Sequence, residues 1–258
     1  MKKNYNRRFV IGDIHGEYDL FIELLKKVKF DYEKDLLICL GDVVDRGLKS
    51  YEVVEELLKI KNLIPIKGNH DECFRESQET GINILYNQGG RETMLSYSRN
   101  TDCDNNPTRI PIEHKLFFNN QLLYYIDEEN NLFIHGGFNR HILIEEELDK
   151  QVFYWDRDLF MSAMSFSKIN SNHLFKTKNN FKTIFIGHTP TVYWNEEEEI
   201  QGKIIVNQKK PITNPIKAAN IWNIDTGCGK GDFPLTIMNI DNFEYEQIWK
   251  KDLKNERI

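Results

Sequence analysis

Apolar residues in this chain fall in short runs that alternate with stretches where they recur every three or four positions. Phe9-Val10-Ile11 is one such run, stopped at Gly12, and Leu20, Leu24, Leu25 and Val28 follow at helical spacing. The run at residues 36–40 stops at Gly41, and Val53, Val54, Leu57 and Leu58 then share one helix face, with Ser50 expected as the N-cap. A third run at 63–66 stops at Gly68. Strand, loop and helix are thus predicted three times, and each loop opens with Gly followed closely by Asp or Asn. That alternation predicts an α/β fold.

Further along, the pattern predicts helices at 90–98, 111–119 and 155–164 and an exposed polar loop at 101–107. Strands are predicted at 122–126, 132–134, 183–186, 221–224, 235–240 and 245–249. The acidic run 196–199 is expected in a solvated hairpin or loop. No internal repeat and no Pro/Gly/Ser-rich linker divides the chain, so residues 1–258 are expected to form one domain.

Composition narrows the function. An apolar share of 40% with 12% aromatics is enough for a sizeable core, while 29% charged residues and a net charge of −6 describe a soluble acidic protein. That charge argues against broad binding to nucleic acid, which relies on Lys and Arg neutralising phosphates, though it leaves room for a phosphate-bearing substrate in a local basic pocket. No apolar run approaches the roughly 20 residues of a membrane helix, and none at the N-terminus has signal-peptide length. Cys39, Cys73, Cys103 and Cys228 are far apart and form no CxxC pair. They are expected as free thiols, with a cytoplasmic location.

Ligands of open α/β sheets bind beyond the carboxyl ends of strands, and polar residues collect there. Asp13 and His15 follow the first strand, and their alternation puts both into one cleft if the backbone stays extended. Asp42, Asp45 and Arg46 follow the second strand, and Asn69 and His70 the third. His135 follows Leu132-Phe133-Ile134, and His188 follows Ile184-Phe185-Ile186-Gly187. Any one of these alone has a plainer explanation: an Asp after Gly is often a turn or cap residue, and a lone His is often a satisfied structural one. Their common placement points to a site instead. Two Asp, one Asn and three His form a mixed oxygen and nitrogen set that suits divalent Mn, Fe or Zn. No cysteine stands among them, so a thiolate-bound structural zinc is not expected.

The segments Gly12-Asp13-Ile14-His15-Gly16, Gly41-Asp42-Val43-Val44-Asp45-Arg46-Gly47, Gly68-Asn69-His70-Asp71, His135-Gly136-Gly137 and Gly187-His188-Thr189 occur in this order over most of the chain. In this the sequence resembles the phosphoprotein phosphatase family of metallophosphoesterases, in particular its small bacterial and phage members. The resemblance implies a calcineurin-like β-sandwich of two mixed sheets flanked by helices. It implies two divalent ions, Mn(II) first among the candidates, with Fe or Zn compatible. Asp13, His15 and Asp42 would hold one ion; Asp42, Asn69, His135 and His188 would hold the other, with Asp42 shared. A water between the ions would attack phosphorus in line. His70 would protonate the leaving oxygen, and Asp45 would orient it. Arg46 would clamp the phosphoryl group, Asn69 would also face substrate, and Arg157 in Trp155-Asp156-Arg157-Asp158 resembles the family's second phosphate-binding arginine. Arg157 could instead simply pair with Asp156 and Asp158.

The first functional expectation is a serine/threonine protein phosphatase acting on phosphoproteins or phosphopeptides, with phosphotyrosine also in range. The alternative is a symmetrical diadenosine tetraphosphate hydrolase or another nucleotide or RNA phosphoesterase. The phosphatase pattern carries Asp before the Arg of the second segment, where these hydrolases typically lack it; Asp45 stands there. Gly136 stands where they usually carry alanine. A metal-bound scaffold without catalysis would be expected to lack a ligand or His70, and none is missing. His114, His141 and His173 are expected as ordinary surface or loop residues. Asp71 and Glu72 are expected only to begin a helix. No chemistry is assigned to Asn223-Ile224-Asp225-Thr226-Gly227-Cys228, and Cys228 is expected to be an inert thiol. Segments 71–131 and 194–215 are candidate sites of substrate choice. The oligomeric state is not legible.

Overall fold

The structure, a computed structural model, describes residues 5–100, 110–169, 172–200 and 203–254. The expected loop at 101–107 lies outside them. In chain order the elements begin β1 (Arg8–Ile11), α1 (Tyr18–Lys27), β2 (Leu36–Cys39), α2 (Ser50–Leu57), β3 (Leu63–Pro65), α3 (Asn69–Thr80), α4 (Gly90–Asn100) and α5 (Ile112–Asn119). They continue with β4 (Tyr124–Ile126), β5 (Asn131–Ile134), α6 (Val152–Trp155), α7 (Asp158–Lys168), β6 (Thr183–Ile186), β7 (Asn195–Ile200) and β8 (Lys203–Pro211). The last are β9 (Ile216–Ala218), β10 (Ile221–Asn223), β11 (Leu235–Asn239), β12 (Tyr245–Ile248) and α8 (Lys250–Lys254).

Two mixed sheets result, in the orders β12-β11-β1-β2-β3 and β4-β5-β6-β10-β9. In the first, β1, β2 and β3 run parallel, and β11 runs antiparallel to both its neighbours, β1 and β12. In the second, β5, β6 and β10 run parallel between the antiparallel edges β4 and β9. β7 and β8 pair as a separate hairpin carrying the acidic run.

The strands are apolar throughout because both faces of each sheet are covered. Side chains alternate between those faces, and the alternation sorts the core into three layers. Phe9 and Ile11, Leu37 and Cys39, and Leu235 and Ile237 pack outward with Leu20, Phe21, Leu24 and Val53 of α1 and α2. Leu132, Ile134, Ile184 and Ile186 pack outward with Phe153, Leu159 and Phe160 of α6 and α7. Val10, Leu36, Ile38 and Met238 of one sheet face Phe133 and Phe185 of the other. The expected sandwich flanked by helices is what the chain forms. No helix among the described residues is long and apolar enough to cross a membrane.

Several local expectations change. Ser50 is the first helical residue rather than the N-cap, which is Lys49. Its hydroxyl instead meets Thr93 Oγ1 at 3.0 Å and accepts the Asp45 N–H at 3.3 Å. The helix expected at 155–164 is broken: α6 ends at Trp155, Asp156 is extended (φ −67°, ψ 141°), and α7 begins at Asp158. The Asp156 carboxylate accepts the Leu159 N–H at 3.0 Å, a local bond that competes with continuing the helix. His114 is fully buried in α5, between the Tyr97 hydroxyl at 2.8 Å and the Glu55 carboxylate at 2.8 Å.

Candidate metal centre

The carboxyl ends of β1, β2, β5, β6 and β10 converge at one edge of the sandwich, and the loops that leave them are joined by backbone hydrogen bonds. Ile14 and His15 donate their N–H groups to Asp42 O at 3.1 and 2.9 Å, Gly16 donates to Val43 O, and Gly47 donates to His15 O. The loops after β1 and β2 are therefore one unit. Its backbone is not extended as expected: His15, Asp42, Asp45 and Arg46 have φ of 48°, 50°, 72° and 66°, and His188 has 65°. Left-handed conformations at non-glycine residues cost of order 1–3 kcal/mol each and persist where surrounding bonds fix them. Here they turn the side chains inward. Gly68 and Gly187 are glycines because a Cβ would lie 2.1 Å from Asp42 Oδ1 and 2.3 Å from Asp13 Oδ1, respectively.

The six expected ligands, Asp13, His15, Asp42, Asn69, His135 and His188, are all buried. His15 Nε2 and His135 Nε2 approach Asp42 Oδ2 at 3.7 and 3.5 Å. His15 Nε2 lies 3.8 Å from Asp13 Oδ2, and His135 Nε2 lies 3.1 Å from Asn69 Oδ1. The Asp42, Asp13 and His separations exceed hydrogen-bond length but suit donors that share an ion at about 2.1 Å each. Donor atoms of His15, Asp42 and His70 lie within 4.8 Å of one another, as do those of Asp42, His135 and His188. Asp42 belongs to both groups.

The ring orientations fit metal binding as well. His15 Nδ1 donates to Val44 O at 2.9 Å and His135 Nδ1 to Leu40 O at 2.8 Å, which turns each Nε2 toward Asp42. His188 Nε2 donates to Trp155 O at 3.2 Å, which leaves Nδ1 free to meet an ion. Charge points the same way. Burial and the Asp225 carboxylate push Asp13 well above the usual range. Burial would also raise Asp42, but His135, His70 and His15 around it hold it well below. Burial acts to lower His135, yet Asp42 and Asp13 bring it up to about 9. Burial, His135 and Arg157 push His188 down to about 2. These are buried carboxylates and imidazoles sharing too few protons, and divalent cations relieve that arrangement.

Beside the candidate ligands lies a buried histidine–carboxylate pair. His70 Nδ1 donates to Asp45 Oδ2 at 2.7 Å, and His70 N–H donates to Asp42 Oδ1 at 2.9 Å. Arg46 reaches His15 Nε2 at 2.5 Å with one terminal nitrogen and His70 Nε2 at 3.1 Å with the other. Arg157, in the break between α6 and α7, donates from Nη1 to His188 O and Thr189 Oγ1, each at 2.9 Å. It braces the His188 loop rather than pairing with Asp156 or Asp158.

Three supporting residues escaped the sequence reading. Thr93 of α4 donates to Asp45 Oδ1 at 2.7 Å and accepts the Asp45 N–H at 2.7 Å. Asp71 does more than start a helix: its carboxylate accepts the N–H of Val43 at 2.9 Å and of Gly68 at 3.3 Å, and the Gln121 amide at 2.8 Å. Asp225 is 1% exposed and lies beside Asp13 in charge terms. The Gly68-Asn69-His70-Asp71 segment was a signal for Asp71, and the strand-end placement a signal for Asp225. Thr93 had none.

The chain is 24% identical over 196 residues, 73% of this chain and 81% of the relative, to serine/threonine-protein phosphatase 1 of Salmonella typhimurium. It is 23% identical to the symmetrical bis(5'-nucleosyl)-tetraphosphatase of Pseudomonas fluorescens, covering 92% of each chain. A crystal structure of a putative diadenosine tetraphosphatase superposes with a TM-score of 0.62 over 95% of both chains at 16% identity, a likeness of fold. The sequence profile of the calcineurin-like phosphoesterases matches residues 7–201, which hold every ligand described above, and the chain belongs to that family of metallophosphoesterases.

Proposed function

We propose that this chain is a two-metal phosphomonoesterase of the serine/threonine protein phosphatase type. The observation that carries the reading is the buried His70–Asp45 pair, 2.7 Å apart and fixed from behind by Thr93. A serine or threonine alkoxide is a poor leaving group, and this pair supplies the proton it needs.

When bound, the two ions lower the pKa of a coordinated water and polarise the phosphoryl group. Asp42 would be shared between them, Asp13 and His15 would complete one side, and Asn69, His135 and His188 the other. His70 holds a proton on Nδ1 against Asp45 and delivers one from Nε2 to the leaving oxygen. Arg46 exchanges its contacts with the two rings for phosphoryl oxygens, where its planar fork fits. Arg157 keeps His188 in place through Nη1 and meets the phosphate with its other terminal nitrogen. Mn(II) is the metal we propose.

A second reading, dinucleotide hydrolysis, is favoured by Trp155. Its ring lies edge-on to His188 with centroids 6.0 Å apart, is 40% exposed, and lines a cavity of about 370 Å³ together with Gln151 and Val152. A half-exposed aromatic beside a phosphate site offers a base a stacking surface. The test is to offer the Mn(II)-loaded protein phosphopeptides, p-nitrophenyl phosphate and diadenosine tetraphosphate side by side. Faster turnover of phosphopeptide is expected. Faster turnover of the dinucleotide replaces the first reading with the second, and no turnover with two ions bound refutes both.

A further inference from the structure

Asp225 lies two residues past the end of β10, as Asp13 lies two past β1 and His188 two past β6. The strand-end rule that places those two residues at the metal centre places Asp225 there too. It lies outside the segment matched by the family profile, residues 7–201.

Its surroundings are fixed on every side but one. Asp225 Oδ1 accepts the Gly227 N–H at 3.0 Å, its own N–H donates to Asn223 Oδ1 at 3.1 Å, and its carbonyl accepts the Thr191 N–H at 2.8 Å. Oδ2 is buried and has no hydrogen-bond partner. A native fold rarely leaves a carboxylate oxygen so, because its desolvation costs on the order of 1–3 kcal/mol or more. The neighbouring segment is fastened to the first metal position. A Cβ on Gly12 would lie 2.5 Å from Ile224 O and 3.4 Å from Asp225 N, and one on Gly229 would lie 2.7 Å from His15 Cβ. Cys228 Sγ donates to Ile14 O at 3.4 Å. The charged groups acting on Asp225 are Arg46, Lys230 and Asp42, and Asp225 is in turn the strongest charged influence on Asp13. Two buried carboxylates side by side repel unless a cation stands near both.

We propose that Asp225 is a positioning residue of the metal centre, whose Oδ2 accepts a hydrogen bond from water in the coordination shell of the ion held by Asp13 and His15. The role is an outer one: Oδ1 is held by the Gly227 N–H, and Oδ2 alone is free to accept from a water. The inference rests on the two-metal reading. Outer partners of this kind change metal affinity by 10- to 100-fold. They also restrict the effect to the position they serve.

Asp225→Asn keeps an oxygen for the Gly227 N–H but replaces the free acceptor by a donor. Asp225→Ser keeps a hydroxyl for the same turn and has nothing that reaches further. Both are compared with wild type by calorimetric titration of Mn(II) into the stripped full-length protein, with bound Mn(II) counted by electron paramagnetic resonance. The wild type should bind two ions, and each variant should bind one of them about 10- to 100-fold more weakly. The metal-free melting temperature should not fall, since an unpaired buried charge has been removed. Variants that bind both ions as tightly as wild type overturn the inference. So does loss of the metal-free fold in both variants, which would place Asp225 in the scaffold. A wild type that binds fewer than two ions overturns the two-metal reading itself.

Discussion

Replacing Asp45 with Asn changes one property of the proton-handling pair and little else. The amide oxygen can keep the bond from Thr93, which donates to Asp45 Oδ1 at 2.7 Å. The amide NH₂ then faces His70 Nδ1, where the carboxylate now accepts at 2.7 Å. A donor there forces Nδ1 to accept, so the ring stays neutral, and the cationic form loses its counter-charge. A hydrogen bond to a charged group is worth about 1.5–3 kcal/mol. At about 1.4 kcal/mol per factor of ten, that loss slows proton delivery by about 10- to 150-fold. That loss should appear in kcat where the leaving oxygen needs a proton and fade where it does not. The assay is a series of aryl and alkyl phosphates of graded leaving-group acidity, with bound metal measured alongside. The dependence on leaving-group pKa should steepen, with both ions retained. An equal loss across the series would refute proton delivery through Asp45, and a loss of metal would show that Asp45 supports the ligands instead.

Two further predictions concern the scaffold. Phe133 and Phe185 stack between the sheets with centroids 4.9 Å apart and planes 2° from parallel, both fully buried. Phe133→Ala should cost about 4 kcal/mol and lower the melting temperature by about 8–16 °C, as measured by calorimetry; a cost under about 1 kcal/mol would mean the layer closes over the gap. His114 is held below the usual histidine range by burial, against the opposing pull of Glu55. Because the folded pKa is depressed, the unfolded chain takes up the proton first, and stability is lost as pH falls below the ordinary histidine value of 6.5. Urea unfolding of the metal-free protein between about pH 7 and 5.5 should show a smaller loss of stability in His114→Gln than in wild type, and an identical pH dependence would remove His114 as the cause.

The chain's own pattern determined the order of elements, because strands buried on both faces must be apolar throughout and helices between them must be amphipathic. It also determined which residues stand at the strand ends, and so the candidate ligand set and the His70 segment, because a strand end is a local event marked by glycine. What it did not hold is anything set by distance in space. The inward turn of His15 depends on bonds to the loop after β2, not on alternation along β1. Thr93 reaches Asp45 across 48 positions of sequence. Asp71, whose carboxylate ties the Val43 loop to α3, looked like a helix start because the N–H group it accepts from lies 28 residues away. His114 looked like a surface residue because nothing in its neighbours announces that Tyr97 and Glu55 enclose it. Asp225 followed a strand like the candidate ligands do, yet only the packing of its segment, through Ile224 and Asp225 on Gly12 and through Gly229 on His15, brought it to their side. Local propensity fixes where a strand stops; which side chains then share a buried charge is decided by the packing of two sheets, and that is information no single segment carries.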